Sequence, residues 1–336
     1  MTFNKKVGAL AALSSLVLVS AVSANDGLQV GGFVDPQMTY VQDVGLTAIM
    51  NDGAIYMSKT LGEGAATFDL AFGDIQSTAG VVLREDAGLF SVGTSAKSQA
   101  FVAYKYNNGF SWKFGQFDGI FGKERNDTVD VFYTSQGLAY GLQPTVHQAL
   151  LVGYDVSNAL AVHAYVGGSD GSGLVRKTGP APFLFGNGSP QIGAKVAYND
   201  GFRLSVGGWM ESERFAADAS GMFINVMAGM DFGDLSLDVE YDMLSTGVDN
   251  VDSATGLAAY LGYSLGETTK LGARFSSTNN TTDGDSDAKD GLTQITFGPS
   301  FAMTKDLNVK INVSYDMVAA TEENTVGGAL AATYRF

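Results

Sequence analysis

Leu235-Ser236-Leu237-Asp238-Val239-Glu240-Tyr241-Asp242-Met243 is apolar at every odd position and polar or charged at every even one. Side chains of a β-strand point alternately to opposite faces, so this segment has one wholly apolar face and one face carrying three carboxylates. Val309-Lys310-Ile311-Asn312-Val313-Ser314-Tyr315-Asp316-Met317 repeats the pattern near the C-terminus. A period of two, not the 3.6 of an amphipathic helix, organises both.

The same alternation marks sixteen strands, at about 28–41, 53–60, 65–73, 97–106, 109–117, 145–155, 159–167, 190–199, 201–210, 221–232, 234–244, 255–265, 268–278, 291–302, 306–317 and 325–336. Seven tight turns, at 62–64, 107–109, 155–158, 199–201, 232–234, 266–268 and 304–306, are rich in Gly, Asn and Asp, which tolerate positive φ. Each follows an even-numbered strand, and longer polar connections follow the odd-numbered ones. Short turns therefore gather at one end and long loops at the other, with both termini at the short-turn end. A β-sandwich predicts no such order, although a sandwich array or a β-solenoid would share the glycine and the alternation. The order is the arrangement of a single-chain outer-membrane barrel, so the expected fold is all-β: a transmembrane antiparallel up-and-down β-barrel of about 16 strands.

Composition agrees. The chain has 336 residues, 43 glycines, no cysteine, 16% charged residues and a formal charge of −15. Cysteine chemistry and disulfide scaffolds are excluded, and an acidic chain with 45% hydrophobic residues is neither disordered nor a nucleic-acid binder. Lys5 and Lys6 precede an apolar run, Val7 to Val22, and the small-residue signal Val22-Ser23-Ala24, so residues 1–24 read as a secretory signal peptide and 25–336 as one barrel domain. Its removal takes the formal charge to −17.

In bilayer hydrocarbon an exposed charge costs about 2–4 kcal/mol at the midplane. With the apolar parity of each strand facing lipid, Asp35, Asp69, Lys105, Lys113, Asp155, Lys195, Arg203, Asp231, Asp238, Glu240, Asp242, Lys270, Arg274, Lys310, Asp316 and Arg335 all fall on the inward face. Eight are basic and eight acidic, so the wall is balanced and the surplus acidity belongs to loops and turns: Asp249 to Asp252, Asp283 to Asp290, Glu322-Glu323. Acidic loops favour a mild cation preference. Asp283-Gly284-Asp285-Ser286-Asp287 begins like a calcium loop but lacks its glycine and closing glutamate, so no metal site is assigned. Outward aromatics, among them Tyr40, Tyr106, Phe110, Tyr154, Phe202, Phe232 and Tyr263, cluster near strand ends as interfacial girdles do.

The whole mature length resembles a Gram-negative outer-membrane porin. Phe114-Gly115-Gln116-Phe117-Asp118-Gly119-Ile120-Phe121-Gly122-Lys123-Glu124 is similar to the Gly-Lys-Phe-x-x-x-Phe-Gly-x-Glu stretch of OmpL-like β-barrel porins, with Gln116 in the lysine position and Lys123 before the glutamate. The final aromatic, Phe336, looks like the terminal signal read by the barrel assembly machinery.

The resemblance implies a water-filled channel for passive diffusion of ions and small hydrophilic solutes in the outer membrane, bounded by outer-membrane lipid and lipopolysaccharide. It also implies that residues 118–144, carrying Asp118, Lys123, Glu124, Arg125, Asp127 and Asp130, fold inward and narrow the pore, with Phe121 and Val129 to Tyr133 able to pin the loop. A solvated external loop is the alternative. Lys105, Lys113, Lys195, Arg203, Asp238, Glu240, Asp242, Lys270, Arg274, Lys310 and Asp316 would line the pore wall. Porins of this strand number are often homotrimers, and the flat face Gly328 to Ala332 suits barrel packing and lipid equally.

No catalytic residue, cofactor or nucleic-acid partner is expected. The two histidines, His147 and His163, point inward on adjacent strands; pairing of 147 with about 167 would separate them along the barrel axis. Inward aromatics, Phe33, Phe101, Tyr165, Trp209, Phe223 and Tyr260, look dispersed. The competing function is a structural or adhesive barrel acting through exposed loops.

Overall fold

A computed structural model describes residues 28–61, 66–72, 77–84, 87–94, 100–169, 191–212, 220–248, 251–281, 291–318 and 323–336. The signal segment 1–24, the turn at 62–64 and most of the acidic clusters lie outside them. The described strands are β1 (Leu28–Val41), β2 (Gly45–Leu61), β3 (Ala66–Phe72), β4 (Ser77–Arg84), β5 (Ala87–Thr94), β6 (Ala100–Tyr106), β7 (Phe110–Asp118), β8 (Val146–Asp155), β9 (Leu160–Ser169), β10 (Gln191–Asp200), β11 (Phe202–Ser212), β12 (Ser220–Phe232), β13 (Leu235–Val248), β14 (Val251–Ser264), β15 (Thr269–Thr281), β16 (Leu292–Ala302), β17 (Leu307–Val318) and β18 (Glu323–Arg335).

Pairing is antiparallel throughout. β18 pairs with β17 on one side and with β1 on the other, where Phe33 faces Arg335 and Tyr40 faces Gly328. β3 pairs with β6, so pairings followed from β1 through β2, β3 and β6 to β18 return to β1 with sixteen described strands. These are the sixteen legible from alternation.

Two regions differ from expectation. β4 and β5 form an additional hairpin, with β4 joined to β2 along Ala48–Met50, in a stretch that reads as loop because Val81-Val82-Leu83 is a continuous apolar run without alternation. β2 starts at Gly45 instead of about residue 53. Asn51-Asp52-Gly53 looks like a turn, yet the strand runs through it, because a register shift at Asp35/Pro36 sets Asp52 opposite Asp35 and Met50 opposite Pro36 and leaves Asn51 unpaired. Consequently the connections opposite the short turns are not uniformly long. β1 and β2 are joined by three residues, Gln42–Val44, and Val248 on β13 pairs with Val251 on β14.

The short turns described match those expected. Val156, Leu265 and Met303 each donate a backbone N–H to the carbonyl four residues on, Leu160, Thr269 and Leu307, at 2.8, 2.8 and 2.9 Å. Gly109 has φ 86°, and a Cβ there would press on the Asp155 carbonyl, so glycine is required by conformation and by space.

Exposure is inverted relative to a water-soluble protein. On β13, Leu237, Val239 and Tyr241 are 41–43% exposed, whereas Asp238, Glu240 and Asp242 are 2% exposed or less. Tyr106, Phe110, Tyr154, Phe202, Phe232 and Tyr263 are exposed near the short-turn end, as an interfacial girdle requires. A Val239→Lys variant places a charge on the lipid face and should lose about 2–4 kcal/mol. Ser314→Lys, on the inward parity of β17, should lose far less; urea unfolding in lipid vesicles compares them.

Candidate functional site

The long connection between β7 and β8 turns back against the inner wall. It contains two short 3-10 turns, Thr128–Asp130 and Ala139–Leu142. Its first anchor is apolar. Phe121 packs among Phe117, Tyr165, Trp209, Phe223 and Leu142, with the Phe121 and Phe223 ring centroids 5.4 Å apart and Trp209 stacked on Phe223 at 6.2 Å. The inward aromatics Tyr165, Trp209 and Phe223 are thus gathered, not dispersed, because Trp209 faces Phe223 across β11–β12 and the loop supplies the ring between them and Tyr165. Val131, Tyr133 and Ala139 form a second apolar patch with Ala258 and Tyr260 of β14.

Gly122 sits beside Phe121 at φ 77°, and Gln143 occupies the space a Cβ would need. Its N–H donates to Asn225 Oδ1 at 3.3 Å, and that of Lys123 to Glu240 Oε2 at 3.1 Å. Glu240 and Asp242 share a face of β13, and both are fully buried. Two amides bridge them: Gln143 Nε2 donates at 2.6 and 2.8 Å, and Asn225 Nδ2 at 2.9 and 2.7 Å. These bonds tie the loop's last turn to the wall.

Each charge on the loop has a definite place. Asp118 accepts from Asn126 Nδ2 at 3.3 Å. Lys123 pairs with Asp238 at 2.8 Å, and Asp238 also accepts from Arg203 Nε at 2.9 Å. Glu124 accepts from Arg274 at 2.6 Å and from the Gly137 N–H at 2.6 Å, with both side chains of this ion pair almost wholly buried. Asp127 is buried. Asp130 pairs with Arg335. Arg125 projects its side chain into water.

Wall cations meet loop carbonyls. Lys195 Nζ donates to Ile120 O at 2.6 Å, Arg274 to Ser135 O at 2.7 Å, and Lys310 Nζ to Thr128 O at 2.7 Å and Val131 O at 2.5 Å. The Arg274 guanidinium lies 4.7 Å from the centre of the Tyr133 ring. Burial pushes the Tyr133 phenol well above its ordinary range, so it stays neutral beside that cation.

Of the expected pore-wall residues, Lys195, Asp238, Glu240, Asp242, Arg274 and Lys310 therefore lie between wall and loop. Lys105 pairs with Asp155 at 2.8 Å and both are well exposed. Arg203 also pairs with Asp231. Lys113 sits 4.2 Å over the Phe101 ring, and Asp316 accepts from Gln294 at 2.8 Å. Lys270 is exposed beside a cavity of about 310 Å³ lined also by Lys123, Asp130, Tyr133, Ser236 and Tyr260. The side chain of Asp69 lies outside the description.

His147 is enclosed by the rings of Phe117, Phe121 and Tyr165. It faces Ser169, not residue 167, while His163 faces Gly153, so the two histidines stand apart along the strands. Residues that alternation alone does not single out include Gln143, Asn225, Ser276 and Asn312, the last two accepting N–H groups of Ala139 and Thr134.

The family model for the OmpL-like beta-barrel porin-2 family, BBP2, matches residues 25–335. The chain belongs to this porin family. It is an outer-membrane channel protein for passive diffusion. No curated protein matches the sequence. Among solved structures, the chain is similar to Salmonella typhi OmpF in complex with daunomycin, with a TM-score of 0.70, 13% identity, and coverage of 94% of this chain and 100% of that one. For the outer membrane channel DcaP of Acinetobacter baumannii the values are 0.64, 14%, 95% and 100%. For an anion-selective porin from Comamonas acidovorans they are 0.64, 13%, 92% and 99%. At such identities the likeness concerns the fold.

Removing Arg274 from this porin leaves Glu124 buried without its cation, and breaking a buried pair this way costs about 3–5 kcal/mol. Arg274→Ala should release the loop while the barrel persists. Limited trypsin digestion should then cut after Lys123 or Arg125 far faster than in the parent protein.

Proposed function

We propose that residues 118–144 set the aperture of this diffusion channel and that ions and small hydrophilic solutes pass beside them. The observation that carries the reading is the set of polar anchors running from Lys195 on β10 to Arg335 on β18, which hold the loop on inward-facing side chains. A sixteen-stranded barrel is otherwise wide enough for an open aqueous channel. The charged groups beneath the loop serve to fasten it, and neither they nor the two histidines are assigned a catalytic role.

The remaining partners follow from the same reading. Residues 1–24 act as a cleaved export signal, in keeping with a family match that starts at residue 25. The apolar wall meets outer-membrane lipid and lipopolysaccharide, and the strand ending at Phe336 is the segment presented to the assembly machinery. Homotrimer formation is open to cross-linking in native membranes. Deletion of about residues 120–140 should raise single-channel conductance in planar bilayers. A sealed barrel would overturn the channel, and an unchanged conductance would overturn the constriction.

A further inference from the structure

We propose that Arg125 governs charge discrimination at the constriction and biases passage toward anions, opposite in sign to the chain's formal charge of −15. The inference rests on the loop being the constriction.

Arg125 stands between Glu124 and Asn126, which are 6% and 3% exposed, while its own side chain is exposed. Its backbone is held on both sides. Glu124 is fixed by Arg274, and Asn126 bonds through its side chain to Asp118 and Tyr140. The Gln136 amide donates to the carbonyls of Arg125 and Asn126 at 3.4 and 3.0 Å. The guanidinium itself is different: among the described residues it has no ion-pair or hydrogen-bond partner. Every other charged side chain of the loop is buried or bonded, as described above.

The wall carboxylates beneath the loop do not offset it for a solute in water. Glu240 and Asp242 lie under the loop, fully buried, with their oxygens bonded to Gln143 and Asn225. Coulomb energy falls with distance and is screened by salt, so a permeating ion responds most to the bare charge it can touch. A guanidinium fork suits small carboxylates and phosphates. These are the solutes the constriction should favour.

The test is the reversal potential of the full channel in planar bilayers under a tenfold KCl gradient. Arg125→Ala should lower the chloride-to-potassium permeability ratio about threefold, Arg125→Glu should lower it further, and Arg125→Lys should keep the parental ratio. Lys305→Ala, on an exposed turn, should leave it unchanged. An unchanged ratio in Arg125→Glu overturns the assignment. If conductance rises on deletion of 120–140 while Arg125→Glu keeps the parental ratio, this inference fails alone; if deletion leaves conductance unchanged, the constriction itself is refuted.

Discussion

Hydrocarbon offers no partner to a backbone N–H or carbonyl, and the rest of this molecule follows from that constraint. A sheet in such a medium must close so that no edge is left open. Here closure is made by β1 and β18, with Gly32 and Phe336 exchanging backbone hydrogen bonds of 2.9 and 3.0 Å at the seam. Closure fixes the sense of every strand. One parity meets lipid and is stripped of charge along the span, so the charge of the described strands is sent inward except at strand ends such as Asp200.

Inward charge raises a second problem, which the loop between β7 and β8 addresses. Ammonium and guanidinium groups on β10, β15 and β17 bond carbonyls of a segment too irregular to pair with itself. Buried carboxylates on β13 take the N–H of Lys123 and the amide of Gln143. Wall and loop therefore satisfy one another, and together with the rings around Phe121 they make a small core inside what would be an open pipe. Buried ion pairs contribute modest net stability. Their geometry fixes where the loop sits.

Much of the fold was legible because alternation is a local property. Leu235 to Met243 declares its two faces without reference to any other strand, and the glycine turns declare the ends. Elsewhere local signals conflicted. Val81-Val82-Leu83 has no alternation, and Asn51-Asp52-Gly53 imitates a turn that a bulge near Pro36 removes. The site was less legible for a different reason. The parity of Arg274 or Lys310 says that the side chain points inward, but not whether water or a loop 140 to 180 residues away in sequence receives it. Gln143 and Asn225 gave no signal at all, since an amide is distinguished only by the carboxylates it spans.

The loop leaves the wall after β7, yet Lys310, Asn312 and Arg335 on β17 and β18 hold its middle. Those contacts join residues 177 to 205 positions apart in sequence. Non-local contacts of this kind must wait for the intervening chain to be ordered, because the entropy of closing the loop is lost before the contact repays it. The docking of the loop on the wall is thus complete only when β17 and β18 are in place. A chain without its last two strands would keep the loop's anchors on β10 and β13 and lose those that hold its middle.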